Sequence, residues 1–201
     1  MFRSRSQTTV IARFTAVFAV LALVGGTAQA QNKPFKISGA GVAPTGLPLP
    51  GQAPRTHWIV GVATHMGLHF GEGTVRTDSA APNPATGGIA GEFGSGSPYV
   101  FTGANGDKLV CWYGRTDHGA KVPGKFELTI VDVLDDGSLV VEALFIAEFV
   151  VQPKESTGKF AGVTGSWIMY ARTEPFVLGS DDPLLYAWEG QGSLTFPKKG
   201  R

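Results

Sequence analysis

Apolar and polar side chains alternate with a period of two through most of the chain after Thr56. Across 139–151 the odd positions are all apolar: Leu139, Val141, Ala143, Phe145, Ala147, Phe149 and Val151. Across 184–196 the even row, Leu184, Tyr186, Trp188, Leu194 and Phe196, opposes Glu189, Gln191, Ser193 and Thr195. Phe126, Leu128 and Ile130 oppose Lys125, Glu127 and Thr129 in the same way. Successive strand side chains point to opposite faces, so each such strand offers one apolar face to a core. The pattern predicts strands at 57–66, 68–77, 89–93, 99–103, 108–113, 125–134, 138–151, 165–172 and 184–196. Asn105-Gly106 and Asp136-Gly137 suit tight hairpins, because both pairs take positive φ cheaply. Beyond residue 30, no apolar stripe at helical spacing runs for roughly 12–18 residues without crossing Gly or Pro.

Eight or nine strands joined by short turns, with no crossover helices, predict an all-β fold. The expectation is an eight-stranded antiparallel up-and-down β-barrel rather than a sandwich. A barrel of about eight strands holds either packed side chains or one small ligand. Glycines inside the strands, at 61, 71, 73, 190 and 192, fit the bends that closure requires.

Two segments break the pattern. Arg3, Arg5 and Arg13, the apolar stretch Phe14–Val24 and the small-x-small run Ala28-Gln29-Ala30 read as a signal peptide cleaved after Ala30. The expected destination is periplasmic or secreted. The apolar stretch is shorter than the about 20 residues of a transmembrane helix, and no membrane span is expected after cleavage. Residues 31–55 alternate Pro34, Pro44, Pro48, Pro50 and Pro54 with Gly39, Gly41, Gly46 and Gly51. They read as a loop-like lead-in, in which only Phe35–Ser38 could pair as a strand. The organisation is therefore a signal peptide at 1–30, a Pro/Gly-rich lead-in at 31–55, a β-barrel domain at 56–197 and a basic tail at 198–201.

Composition narrows the function classes. The chain has 201 residues, 43% hydrophobic and 16% charged, which suits one folded domain and argues against disorder. The formal charge is +1, and losing three arginines with the signal peptide leaves fourteen basic residues against sixteen acidic ones. Such a balance provides no electrostatic footprint for nucleic acid. The single cysteine, Cys111, lies in the strand-like run Leu109–Tyr113. It reads as a buried small hydrophobe, with an intermolecular disulfide or a reactive thiol as the alternatives.

No residue cluster compels a chemistry. His65 and His69 are four apart, about 13 Å on a strand and too far to share an ion unless Gly67 turns the chain. No metal or cofactor is expected. Arg115-Thr116-Asp117-His118 lies in the 114–124 loop, where Asp117 either orients the imidazole as a base or closes its own turn. Glu142, Glu148 and Asp132 sit in apolar strands. An inward carboxylate would have a raised pKa and could act on a ligand, but Glu142 and Glu148 oppose the fully apolar row, which favours the outside. The row around them, Val140, Leu144, Ile146 and Val150, is apolar as well, which suggests cover by another subunit or by the lead-in. Trp58, Trp112, Trp167 and Trp188 either line a cavity or fill the core. The candidate ligand-binding residues are Trp58, Trp112, Tyr113, Tyr170, Tyr186, Trp188, Glu142 and His65; catalytic residues are unknown.

The run Ser156-Thr157-Gly158-Lys159-Phe160-Ala161-Gly162-Val163-Thr164-Gly165-Ser166-Trp167 resembles the T-G-x-F-x-G-x-x-G signature of allene oxide cyclase barrel-like proteins and, more loosely, of plant dirigent proteins. Tyr186–Gly192 looks like the final aromatic strand of that barrel, and Gly61-Val62-Ala63-Thr64-His65-Met66-Gly67 is similar to a G-x-A-T-H-L-G segment of bacterial members. The resemblance implies a calycin-like barrel with a cavity. From the plant relatives it also implies homotrimers that hold an apolar, oxygenated small molecule and steer its cyclisation or coupling. The catalytic acidic and aromatic positions of the plant enzymes match no residues here, so the activity does not carry over. The resulting expectation is an exported barrel that binds a small apolar molecule or serves as an envelope interaction module. A cyclase- or dirigent-like enzyme is the alternative.

Overall fold

The computed structural model describes residues 30–198, so residues 1–29 of the signal-peptide segment and the last three residues of the tail lie outside the described residues. Its strands are β1 (Gln31–Ala43), β2 (Arg55–Ala63), β3 (Gly67–Asn83), β4 (Gly88–Ser95), β5 (Tyr99–Gly103), β6 (Lys108–Tyr113), β7 (Gly124–Val133), β8 (Leu139–Val151), β9 (Thr164–Thr173), β10 (Phe176–Val177) and β11 (Leu184–Phe196). Among the described residues helix is confined to two single turns, Thr116–His118 and Gly158–Phe160.

All pairings are antiparallel, and the sheet closes on itself through eight strands. The circuit runs β1, β2, β3, β5, β6, β8, β9, β11 and back to β1. β3 and β8 extend past β5 and β6, and there β4 and β7 pair with them and with each other to continue the wall. Gly106 and Gly137 turn their hairpins with φ of 84° and 85°, as Asn105-Gly106 and Asp136-Gly137 predicted.

The lead-in reading of 31–55 is corrected: residues 31–43 form the strand that joins the two ends of the circuit, and only 44–54 is a loop. Proline was the misleading cue. The Pro34 carbonyl accepts a bond from His65 Nε2 at 3.0 Å, so its backbone polar edge faces the β2 side. β2 pairs with β1 only from Ile37 onward, so the missing N–H of Pro34 removes no ladder bond. The glycines were equally misleading. Gly39 lies opposite Gly61, and a Cβ on either would come within 2.1 Å of a backbone carbonyl oxygen on the partner strand. Only glycine lets β1 and β2 approach so closely.

Inward side chains fill the enclosed space, and the two ends differ. At the end where β9 begins and β11 finishes, the β8–β9 connection plugs the interior with fully buried Phe160 and Val163, the Phe160 ring lying 6.2 Å from that of Phe196. The glycine motif serves this plug. Gly158 turns with φ 61°, and a Cβ on Gly165 would meet the Ser193 carbonyl at 2.2 Å. The opposite end is bordered by the loop 44–54 and the segment 174–183, which carries the short β10. They are tied by Arg55, which pairs with Asp181 at 3.0 Å and also donates to the Thr45 carbonyl.

Outside, the 114–123 loop covers part of β8. Glu148 lies on the outer row but is buried under this loop, accepting a bond from the Lys121 amide at 2.8 Å. Cover for that end of the apolar outer row thus comes from neither of the two expected sources.

Candidate functional site

The interior site starts from the parity of β2. Residues 58, 60 and 62 point outward, so His57 and Ile59 point in. Gly73 pairs with His57 and Gly71 with Ile59, which leaves room there for a ring from β5. Tyr99 occupies it: a Cβ on Gly71 or Gly73 would lie 2.9 or 2.5 Å from the tyrosine ring. The centroids of His57 and Tyr99 are 4.7 Å apart.

Two further tyrosines hold the imidazole. His57 Nδ1 is 2.7 Å from the Tyr186 hydroxyl and Nε2 is 2.9 Å from the Tyr113 hydroxyl. The Tyr113 hydroxyl in turn lies 3.1 Å from the Thr74 carbonyl, and the Tyr186 hydroxyl 3.3 Å from the Trp58 carbonyl. A neutral imidazole has one N–H, so the trio has three protons for four contacts. The three shortest contacts are made when Nε2–H donates to Tyr113, Tyr113 donates to Thr74 and Tyr186 donates to Nδ1. Burial holds the His57 pKa down to about 3, so the ring is neutral at physiological pH. Burial also raises both tyrosines above the ordinary phenol value. A weakened base thus faces weakened acids, and their protons stay in place.

Two cavities adjoin this trio. The larger, about 60 Å³, lies toward the loop-bordered end. Val75, Phe93, Phe145, Met169, Ala171 and Leu184 wall it, Leu47 stands at its rim, and His57, Tyr113 and Tyr186 form most of its polar side. The smaller, about 20 Å³, lies deeper and is lined by Ile59, Tyr99, Phe149, Met169 and Trp188 together with His57 and Tyr186. A water needs about 10–15 Å³, so the outer space takes a few atoms and the inner one a single water-sized group. Among the described residues no carboxylate and no Lys or Arg lines either cavity. A larger concavity, about 520 Å³, lies on the outer wall across β1, β2, β9 and β11, with Lys36, Ser38, Tyr170, Glu189 and Gln191 on it. It is a solvent-facing trough; the interior pair is the more selective environment, because it is apolar and carries few polar groups.

Of the eight candidate residues, Tyr113, Tyr186 and Trp188 face the interior, while five lie elsewhere. Trp58 and Tyr170 are on the outer face at 39% and 44% exposure. Glu142 lies between inward Val141 and Ala143 and pairs with Thr129 on the outer row. Trp112 is outside too, stacked on His118 with centroids 3.7 Å apart. His65 sits in the β2–β3 turn with φ 66°, bonded to Pro34 and edge-on to Phe196. Strand parity explains the two neighbours of interior residues, since Trp58 follows His57 and Trp112 precedes Tyr113. His69 points inward and is buried, far from sharing a ligand role with the turn-bound His65. Asp117 is engaged by Arg115, Nε to Oδ1 at 2.8 Å, and the His118 ring nitrogen stands 3.9 Å away. Sequence reasoning missed His57 and Tyr99. The parity of 57 with apolar Ile59 was the available cue for the first, and Tyr99, Phe101 and Gly103 on one row for the second.

Among the described residues no group of three or more metal-binding side chains occurs, and no helix is long and apolar enough to cross a membrane. No family model, curated protein or solved structure matches the chain.

Proposed function

We propose that this chain is an exported barrel protein that binds a small apolar molecule through the loop-bordered end of its interior. The observation that carries the reading is the apolar cavity of about 60 Å³ beside the neutral His57–Tyr113–Tyr186 trio. Apolar walls supply the affinity and a few fixed polar groups supply orientation. The glycine motif at 156–167 makes an allene oxide cyclase-like barrel the fold family favoured here, with the family's trimer as the corresponding assembly. Binding is preferred to the cyclase-like alternative on chemical grounds. A buried imidazole with a pKa near 3 is a poor base at neutral pH, and no carboxylate lines either cavity.

A second reading, an envelope interaction module, is favoured by a separate observation. Val60, Val62, Leu68 and Phe70 are between 43% and 66% exposed on adjoining outer positions of β2 and β3. Contiguous exposed apolar surface of this kind is typical of contact sites.

The test of the binding reading is a thermal-shift titration of the purified chain with cyclopropane and propene, hydrocarbons of the few-atom size that the outer cavity takes. Saturating ligand at about 100 times its Kd should add about 2.7 kcal/mol, roughly 5–11 °C in Tm. Val75→Phe, which places a ring in the outer cavity, should abolish the shift. A wild-type Tm unmoved by both hydrocarbons would overturn the reading.

A further inference from the structure

We infer that the trough on the outer wall, across β1, β2, β9 and β11, is a second binding site and takes a neutral oligosaccharide. The site lies outside the barrel and does not depend on what the interior binds.

Register builds the trough from two neighbouring rows of outward side chains. One row runs Tyr170, Glu189, Ser38 and Val62. The next sets Gln191 opposite Lys36, whose amide donates to Thr64 Oγ1 at 2.9 Å. Short Ser38 stands between Val62 and Glu189, so the floor sinks there, and the trough holds about 520 Å³. Concavities of this size suit small ligands. Tyr170 borders the trough and is 44% exposed, which leaves its ring open to a ligand.

The polar groups here are uncommitted. Lys36 and Glu189 are diagonal neighbours on paired strands, a spacing that long side chains can bridge. They nevertheless form no ion pair, whereas Arg55 ties to Asp181 at 3.0 Å and Arg76 to Asp78 at 2.7 Å. Among the described residues no hydrogen bond engages the side chains of Lys36, Ser38, Glu189 or Gln191.

The chemistry of these groups selects the ligand. Lys36 only donates, Glu189 only accepts, and Ser38 and Gln191 do both. Vicinal hydroxyls, each a donor and an acceptor, match that mixture. The negative face of the Tyr170 ring attracts the C–H face of a pyranose whose hydroxyls are equatorial. One cation and one carboxylate line the trough, so it has no net charge with which to favour an ionic ligand. An extended peptide fits less well. All four strands are paired on both sides and leave no backbone edge for an added strand.

Cellotriose and triacetylchitotriose, two neutral β-linked probes, test this on the purified chain by amide NMR titration. The amides of Ser38, Glu189 and Gln191 should shift saturably, while those of Val75 and Tyr113 stay in place. Tyr170→Ala should weaken binding about tenfold, and Tyr170→Phe should retain most of it, because the ring does the stacking. Glu189→Gln should weaken binding about fivefold, as a charge-assisted hydrogen bond becomes a neutral one. Val75→Phe, which fills the interior cavity, should leave the affinity unchanged. The glucuronate trimer of the same linkage should bind no tighter than cellotriose. No shift with either neutral probe, shifts confined to the interior, undiminished binding by Tyr170→Ala or tighter binding of the glucuronate trimer would each overturn the inference. Shifts at the trough that follow protein concentration instead of sugar would assign it to contact with a second copy, and would overturn the inference as well. The interior reading stands or falls separately, on the hydrocarbon titration.

Discussion

Phe149 touches both halves of the interior, and its two neighbourhoods differ. Toward the plugged end it stacks on Trp167 at 5.1 Å with planes 12° apart, and Trp167 packs in turn on Phe35 at 4.8 Å. Toward the loop-bordered end it stacks on Tyr113 at 4.8 Å and lines the inner cavity, and with it the outer one. One half is therefore a filled aromatic core, and the other keeps space beside hydroxyls and an imidazole. The same strands build both halves; what differs is the cap. A three-residue helical turn with Phe160 closes the first, whereas the loop 44–54 and the segment 174–183, with its two-residue strand β10, border the second. Stability and recognition are thus divided along the strand axis.

A matched pair of leucines measures this division, with the largest expected effect. Leu194 is fully buried in the filled half, and Leu184, 3% exposed, lines the outer cavity. Leu→Ala costs roughly 2 to 5 kcal/mol, and least where the side chain already faces empty space, with fewer packing contacts to lose, beside loops that can relax into the gap. Leu194→Ala should fall near the top of that range and Leu184→Ala near the bottom, as read by denaturant unfolding. Equal losses would mean that the two halves are packed alike.

Acid should act on the recognition half by a few kcal/mol. The folded pKa of His57 is lowered to about 3 from 6.5, so between those values the unfolded chain binds more protons than the folded one. Stability therefore rises with pH across this window: the contribution is complete above about pH 6.5 and is lost as pH falls toward 3. Burial lowers the pKa of His69 as well, and it contributes in the same direction. Unfolding measured from pH 7 to pH 4 should show a shallower decline in His57→Phe than in the wild type. An identical slope would place the acid sensitivity elsewhere.

These contrasts also explain what was legible in the sequence. Alternation located 99–103 and 184–196, where one face is buried and the other reaches solvent, and the apolar run 108–113, buried through 109–111, was legible from its strand formers; all three coincide with observed strands. It failed for β1, whose Pro34 sits beyond the pairing with β2 and whose glycines exist for close approach; both look like loop chemistry in one dimension. For the site, parity within a known strand was sufficient, since it puts His57 inside and Trp58 outside. The contacts of His57 with Tyr113 and Tyr186 were not legible, because the closure that brings β2, β6 and β11 together decides them. The motif at 156–167 carries fold chemistry: Phe160 is fully buried and Gly165 lets its strand approach the Ser193 carbonyl.

Enlarging a side chain sharpens the comparison at a smaller scale. Val163 is fully buried among the plug residues, whereas Val75 borders the outer cavity. Overpacking a filled core costs about 1–3 kcal/mol. Val163→Phe should lie in that range, and Val75→Phe should stay within about 1 kcal/mol because its ring enters existing space. If Val75→Phe proves the more damaging, the outer cavity is too rigid to admit a ligand of that size.

The smallest effect on stability should come from Arg55, and it separates the two caps by mechanism. The plug is held by apolar burial, whereas the loops 44–54 and 174–183 meet through the guanidinium of Arg55 on Asp181 and the Thr45 carbonyl. Asp181 is 81% exposed, and exposed pairs contribute about 0–1 kcal/mol. Arg55→Ala should therefore leave global stability nearly unchanged. Locally, the backbone bonds from Gly46 to Ala43 and from Ser180 to Val177 lose the tie that keeps the two loops together. Amide exchange at Gly46 and Ser180 should accelerate several-fold, while that of Phe160, held by the plug, stays at its wild-type rate. Equal acceleration at all three amides would show that the loops and the plug open as one unit, and the functional division between the ends would fail.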